Sequence, residues 1–370
     1  MENRVFAAAC PEYRPGDVKE AAARLLAAFG GAERFLQKGR RVLLKPNLLL
    51  AREPEGATTT HPEIVEAVAE LFVEAGASVV IADSPGGPYN ALTLSCVYRQ
   101  CGMEEAARRA GARLNRDCSS RKVRFEGTKT REFDIITPVC QADVIINIGK
   151  MKTHMLTYFT GAVKNLYGTV PGLTKASYHS RMPGQQEFCR MLADLCRCVG
   201  PDLSIIDGIE GMDGRGPSGG RVRRAGVLLA SENPFAADLA AMYLCGLRPE
   251  RAPIHCFAAA QGWTPDDPAK LEWLGDPVAP LAEPFIPAAG KNRRCESVIN
   301  RLPGPVRQPL RRVLVAAPQV TQRCIGCGKC ARACPAHAIV IRGGRAEVRK
   351  RQCIRCYCCH ELCPVRAVRI

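Results

Sequence analysis

Short continuous apolar runs alternate along the first 290 residues with stretches whose apolar positions recur every three or four residues. RVLLK (Arg41 to Lys45) stops at Pro46, as a strand buried on both faces does. Pro62 then opens PEIVEAVAELFVEAG, with Ile64, Val65, Val68, Leu71 and Phe72 on one helical face and Gly76 as the stop. SVVIAD (Ser78 to Asp83) reads as the next strand, and the turn-rich SPGGP follows it. This β–α–β order implies a right-handed crossover in a parallel sheet. The order returns further on. ADVIINIG (142–149), LSIIDGI (203–209) and AGVLLAS (225–231) read as strands, with helix-like segments over 188–200 and after Pro234. The pattern predicts an α/β domain over residues 1–290: a mostly parallel sheet covered by helices on both faces, in one lobe or two.

Between 246 and 290 Pro and Gly recur and no long period survives. Residues 291–320 read as a basic, proline-broken connector. Residues 321–370 then form a small separate α+β domain, in which IVIRGGRAEV predicts a hairpin turning at Gly343-Gly344.

Composition sharpens this division. The chain has 370 residues and 20 cysteines, and nine of these lie between Cys324 and Cys363. No stretch reaches the roughly 18 apolar residues of a membrane helix, and Pro11 and Pro15 follow the short N-terminal apolar run closely. A cytoplasmic location is the expectation, and metal binding is a better use of the cysteines there than disulfides. The net charge of +16 is equally uneven: residues 291–370 hold eighteen Lys or Arg against Glu296, Glu347 and Glu361. A basic tail can bind nucleic acid, but this one lacks interleaved aromatics beyond Tyr357. An acidic electron-carrier protein or a membrane surface suits it better.

Cys324, Cys327, Cys330 and Cys334 stand as C-x2-C-x2-C-x3-C, with Pro335 next. The same run returns at Cys353, Cys356, Cys359 and Cys363, with Pro364 next. Two-residue gaps let three thiolates wrap one cuboidal cluster, and the fourth cysteine heads toward the other. That rule gives Cys324, Cys327, Cys330 and Cys363 to one 4Fe–4S cluster, and Cys353, Cys356, Cys359 and Cys334 to a second. Zinc sites close at four ligands and seldom repeat such a run ending in proline. Gly326 and Gly328 let the first loop pass close to the sulfides, whereas the second loop carries Arg355 and Tyr357 instead. Cys358 is surplus to both sets and reads as a small residue rather than a redox thiol. The spacing resembles that of bacterial two-cluster ferredoxins throughout residues 321–370.

In the large domain, polar groups gather beside the expected strands: Lys45 and Asn47, His61, Asp83 and Ser84, Lys150, Lys152 and His154, Lys164 and Asn165, and Asp207. Ligands of parallel sheets bind at the carboxyl ends of strands, and Lys45, Asp83, Lys150 and Asp207 each follow an apolar run directly. Each taken alone is an ordinary loop or turn residue. Taken together they predict a site for a small anion, since four lysines in a domain of balance about +1 need negative charge nearby. The glycines at 214, 216 and 219 follow Asp213 rather than a strand, so they do not make a dinucleotide fingerprint.

LLKPNLL, THPEIVEAVAELFVEAGA, VIADSPGG, IINIGKMKTHMLTYFTGAVKNLYG, IIDGI and LLASENPFAADLAAMYL, in this order, resemble the family catalogued as domain of unknown function 362. Its members are often followed by a two-cluster ferredoxin domain. The resemblance implies an iron–sulfur protein and assigns no reaction. A more distant similarity is to nickel-pincer lactate racemases, whose α/β domains present Lys and His to a 2-hydroxy acid, and too few residues match to carry that activity over. Three readings compete: an oxidoreductase whose clusters relay electrons to or from a small anionic substrate, a non-catalytic electron-transfer subunit, and a racemase-like enzyme with structural clusters. The sequence names no substrate and no additional cofactor.

Overall fold

The computed structural model of the protein describes residues 2–288, 310 and 314–370. Eleven strands belong to the large domain: β1 (Arg4–Ala9), β2 (Arg41–Pro46), β3 (Ser78–Ile81), β4 (Arg113–Leu114), β5 (Ser120–Arg124), β6 (Glu132–Ile136), β7 (Val144–His154), β8 (Tyr158–Thr160), β9 (Leu203–Asp213), β10 (Arg221–Ser231) and β11 (Glu272–Gly275). Nine of them form one sheet in the order β11-β1-β10-β9-β7-β2-β3-β4, with β8 folded back on β7, and β5 pairs only with β6. The centre, from β9 through β7, β2 and β3 to β4, is parallel. β10 runs antiparallel to both of its neighbours, and β11 adds in parallel to β1 at the edge.

Alternation along the central strands sends side chains into two cores. Val42, Leu44, Ile146 and Ile148 meet the helices Pro15–Ala28, Pro62–Glu74 and Ala91–Gln100 on one face. Leu43 and Ile145 meet the helix Gln185–Val199 on the other. A strand covered on both faces needs an unbroken apolar run, which is why these segments were readable from sequence. The third core packs the helix Pro234–Leu244 on Val5, Ala7, Ile206, Val227 and Leu229. Asn233 starts that helix, its Oδ1 accepting from the Phe235 and Ala236 amides, with Pro234 at the first position.

Two expectations about strand ends change. β7 and β9 are each eleven residues long, so Lys150, Lys152, His154 and Asp207 lie within strands rather than after them. The glycines at 214, 216 and 219 belong to the β9–β10 connection, between antiparallel partners. The aperiodic stretch after 246 contains the helix Pro253–Ala260 and β11. Most of the predicted connector, 291–309 and 311–313, lies outside the described residues.

In the C-terminal domain β12 (Gln319–Val320) pairs antiparallel with β15 (Val368–Arg369), and β13 (Ile339–Arg342) with β14 (Arg345–Val348). The second pair is the expected hairpin, with Gly343 and Gly344 at φ 51° and 71° in its turn. The domain rests against the large one. Arg52 Nη2 donates to the Cys363 and Pro364 carbonyls at 3.3 and 3.0 Å, and Ser218 Oγ donates to the Glu361 carbonyl at 2.9 Å. Leu362 packs over Gly86, where a Cβ would sit 2.1 Å from its Cδ2. Among the described residues no helix is long and apolar enough to cross a membrane.

Candidate functional site

β2 ends in a buried ion pair. Lys45 Nζ lies 2.7 Å from Asp83 Oδ1 and donates to the Pro46 carbonyl at 2.8 Å. Asp83, two residues beyond β3, also accepts from the Leu48 amide at 2.6 Å and the Ser84 amide at 2.9 Å. Burial pushes the Lys45 amine down, and Asp83 opposes that push. Gly168 crosses so closely that a Cβ there would sit 1.9 Å from Asp83 Oδ1, so only glycine closes the lid over this pair.

An amide network joins the pair to its neighbours. Asn165 Nδ2 donates to the Lys45 carbonyl at 3.1 Å and to Asn147 Oδ1 at 2.8 Å, while Asn165 Oδ1 accepts from Asn47 Nδ2 at 3.0 Å. Asn47 Oδ1 in turn accepts from Lys152 Nζ at 2.7 Å, and Lys152 donates also to the Thr58 carbonyl at 2.7 Å. Among the described residues no carboxylate lies within ion-pair distance of Lys152. Burial pushes its amine down to about 7, with the charges of Lys150 and Lys164 adding to the push.

Lys150 and Asp207 form a second centre, apart from the first. They face each other across β7 and β9, with Lys150 Nζ 2.7 Å from Asp207 Oδ2. Tyr13 Oη donates to Asp207 Oδ1 at 2.8 Å and accepts from Lys150 at 2.7 Å. Its ring stacks on His61 at 3.6 Å between centroids. Burial pushes His61 down to about 4, so this imidazole is neutral, and its Nδ1 accepts from the Glu63 amide at the start of the helix Pro62–Glu74. The sequence candidates therefore divide into two groups.

The first group borders a chamber, which measures about 650 Å³ with its open mouth and is lined by Asn47, Asp83, Lys164 and Asn165 among others. Lys164 is half-buried. Its Nζ stands 5.0 Å above the Tyr167 ring, with no carboxylate among the described residues within ion-pair distance. Two wall residues gave no signal in the sequence. Lys175 Nζ donates to four oxygens, the nearest being the Val170 carbonyl at 2.7 Å, and burial pushes it down to about 7. His179 stacks on Phe188, and burial pushes it down to about 3.

The roof comes from the cysteine-rich domain, through Ala333, Cys358, Glu361 and Leu362. Burial opposes ionisation of Glu361, but His154 and Lys164 hold its carboxyl down at about 2. His154 Nε2 approaches Glu361 Oε1 at 3.2 Å without hydrogen-bond alignment. His154 Nδ1 accepts from the Leu156 and Thr157 amides at 3.0 and 3.3 Å, which leaves any ring proton on Nε2, toward Glu361. Burial pushes this imidazole below its usual range. Cys358, surplus in the sequence, is a buried part of the roof.

The eight motif cysteines fit clusters on three counts. Burial pushes the Cys330 thiol up, and Cys327, Cys324 and Cys363 push it further; at Cys353 burial is again the main cause, with Cys356 and Cys334 adding to it. Each neighbourhood therefore draws on both motifs. Backbone amides aim at the sulfurs: Ala338 donates to Cys334, Ala346 to Cys324 and Ala367 to Cys363, at 3.1 to 3.4 Å. The two loops share one backbone conformation, with Gly326 and Gly328 at φ 64° and 73° and Arg355 and Tyr357 at φ 57° and 64°. The second loop bears this strain because both side chains are tied down, Arg355 to the Lys350 carbonyl at 2.6 Å and Tyr357 to the Ala316 carbonyl at 3.1 Å. None of the described cysteines is in a disulfide.

Residues 42–243 match the family model described as domain of unknown function (DUF362), and residues 323–367 match that of the 4Fe-4S dicluster domain. The thylakoid-associated protein sll1697 of Synechocystis sp. is 34% identical over 262 residues, covering 68% of this chain and 78% of that one. Two solved structures are similar at lower levels. The lactate racemase apoprotein of Thermoanaerobacterium thermosaccharolyticum has a TM-score of 0.36 at 12% identity and covers 56% of this chain. A Thermotoga maritima protein has a TM-score of 0.34 at 11% identity and covers 54%. The chain spans about half the length of each, 50% and 51% respectively.

Proposed function

The chain belongs to the DUF362 family and carries a 4Fe–4S ferredoxin-type domain, and from that premise we propose that it is an oxidoreductase acting on a small anion held in the chamber. When bound, two 4Fe–4S clusters supply one-electron transfers between a carrier protein and the substrate, one losing each electron that the other gains. Cys324, Cys327, Cys330 and Cys363 hold the first, and Cys353, Cys356, Cys359 and Cys334 the second. The single observation behind this reading is the roof: Cys358 and Glu361 close the chamber from the short helix Cys358–Glu361 that also carries Cys359, and Leu362 closes it from the residue that follows. The second cluster's ligands thus stand beside the bound substrate.

In this reading Lys164 attracts the anion, Asn47 orients it with the Nδ2 proton that Asn165 does not take, and Asn165 holds Asn47 in place. Lys45 and Asp83 set the floor, and Lys152 holds Asn47. His154 turns Nε2 toward Glu361 behind the roof and is the candidate proton donor or acceptor. Lys150 and Asp207 brace the sheet against Tyr13 and take no part in binding. The basic surface of the C-terminal domain receives an acidic carrier protein. A reducing compartment, the cytoplasm, suits both the thiols and the clusters.

The test is anaerobic reconstitution followed by electron paramagnetic resonance of the reduced protein. About eight iron and eight sulfide per chain are expected, with the signal of one cluster altered by small carboxylates or phosphates and unaltered in Lys164→Met. Signals indifferent to every anion would refute the reading.

A further inference from the structure

A second cavity adjoins the chamber, and the two share the walls Gly86, Gly87, Leu173, Ala333 and Leu362. This outer vestibule spans about 990 Å³ with its mouth and is walled by Leu50, Pro88, Leu92, Val97 and Pro364, with Lys329 and Arg332 also on its wall. Leu92 is 81% exposed and Leu173 42% exposed, so two of the seven large exposed apolar side chains among the described residues stand at this one opening. Behind the apolar mouth lies a cationic interior. Lys164 and Lys175 face the chamber without a carboxylate partner within ion-pair distance among the described residues, and Lys152 stands behind Asn47 in the same condition. Of the two carboxylates on the wall, Asp83 is engaged by Lys45 and two amides, and Glu361 lies 3.2 Å from His154.

A small hydrophilic anion gains nothing from an apolar entrance, whereas a molecule with an anionic head and an apolar chain gains at both ends. We propose that chamber and vestibule form one channel for such an amphiphile, its head at Lys164 and its chain leaving past Leu173 toward Leu92. The proposal rests on the chamber being the anion site and adds the class of substrate. A carboxylate or a phosphate monoester satisfies the head equally.

Titration calorimetry on the full, cluster-loaded chain tests it with two probe series, acetate to octanoate and methyl to octyl phosphate. Affinity is expected to rise about fourfold per methylene until the chain fills the vestibule, in whichever series carries the right head. Leu173→Asn should flatten that rise, and Lys164→Met should weaken all members of the series alike. Short anions that bind through Lys164 with no gain from lengthening would overturn the amphiphile and leave the anion site standing. A gain with length that ignores both substitutions would place the chain elsewhere and overturn the channel. No binding by either series would overturn both.

Discussion

Asp83→Asn isolates what the buried ion pair contributes. Lys45 is fully buried, and Asp83 is the one carboxylate among the described residues within ion-pair distance of it. Without that charge the amine must stay ionised in a dry site or give up its proton. A lysine in an unfolded chain titrates near 10.5. Giving up the proton at about pH 7 costs about 5 kcal/mol, at roughly 1.4 kcal/mol per pH unit, and this caps the loss. Near pH 9 the same cap is about 2 kcal/mol. In the variant the unfolded state binds the extra proton between the lowered folded value and 10.5, so its stability climbs with pH across that window. Both tryptophans, Trp263 and Trp273, lie in the large domain, and their emission follows its thermal unfolding. At about 2 °C per kcal/mol the midpoint should drop by roughly 10 °C near neutrality and by about 4 °C near pH 9. Lys45→Met with Asp83→Asn loses the same amide contacts but leaves no buried amine, so its deficit should be smaller and independent of pH. An equal loss at both pH values in the single variant would refute the ion-pair account.

Three further outcomes follow from the site. Cys356→Ser should lose one cluster by iron and sulfide analysis, whereas Cys358→Ser should keep both. Truncation before Cys353 removes Cys363 from the first set, so an intact four-cysteine cluster in that fragment would contradict the crossed ligation. Burial brings Lys175 to about 7, so its cationic form prevails below that pH, and anion affinity should fall as pH rises through about 7. Calorimetry should register proton uptake on binding near that pH, and a flat profile in the parent chain would uncouple Lys175 from the anion.

The parallel centre of the sheet was legible because Val42–Leu44 and Val144–Ile146 are buried on both faces and read as continuous apolar runs. β7 was cut short at Gly149 because Lys150, Lys152 and His154 look like loop residues. His154 is tolerated inside a strand through the Leu156 and Thr157 amides, and the two lysines through partners far away in sequence, Asp207 for Lys150 and Asn47 and Thr58 for Lys152. No local pattern encodes such pairings. Lys45, Asn47, Asp83, Lys164 and Asn165 were visible as polar groups at strand ends, and they do meet at the chamber or just beneath it. Their separation from Lys150 and Asp207 was not visible, because it depends on Tyr13 arriving from a segment with no pattern of its own. Glu361 was hidden inside the cysteine motif, between the expected ligands Cys359 and Cys363.

Because Cys358, Glu361 and Leu362 roof the chamber, the order in which the protein is built acquires meaning. The large domain has its own cores, whereas this wall of its chamber hangs on the segment between Cys356 and Cys363. If the proposed clusters shape that segment, a chain short of iron would keep its sheet and lose its roof. Capture of the proposed substrate would then depend on metal supply during maturation.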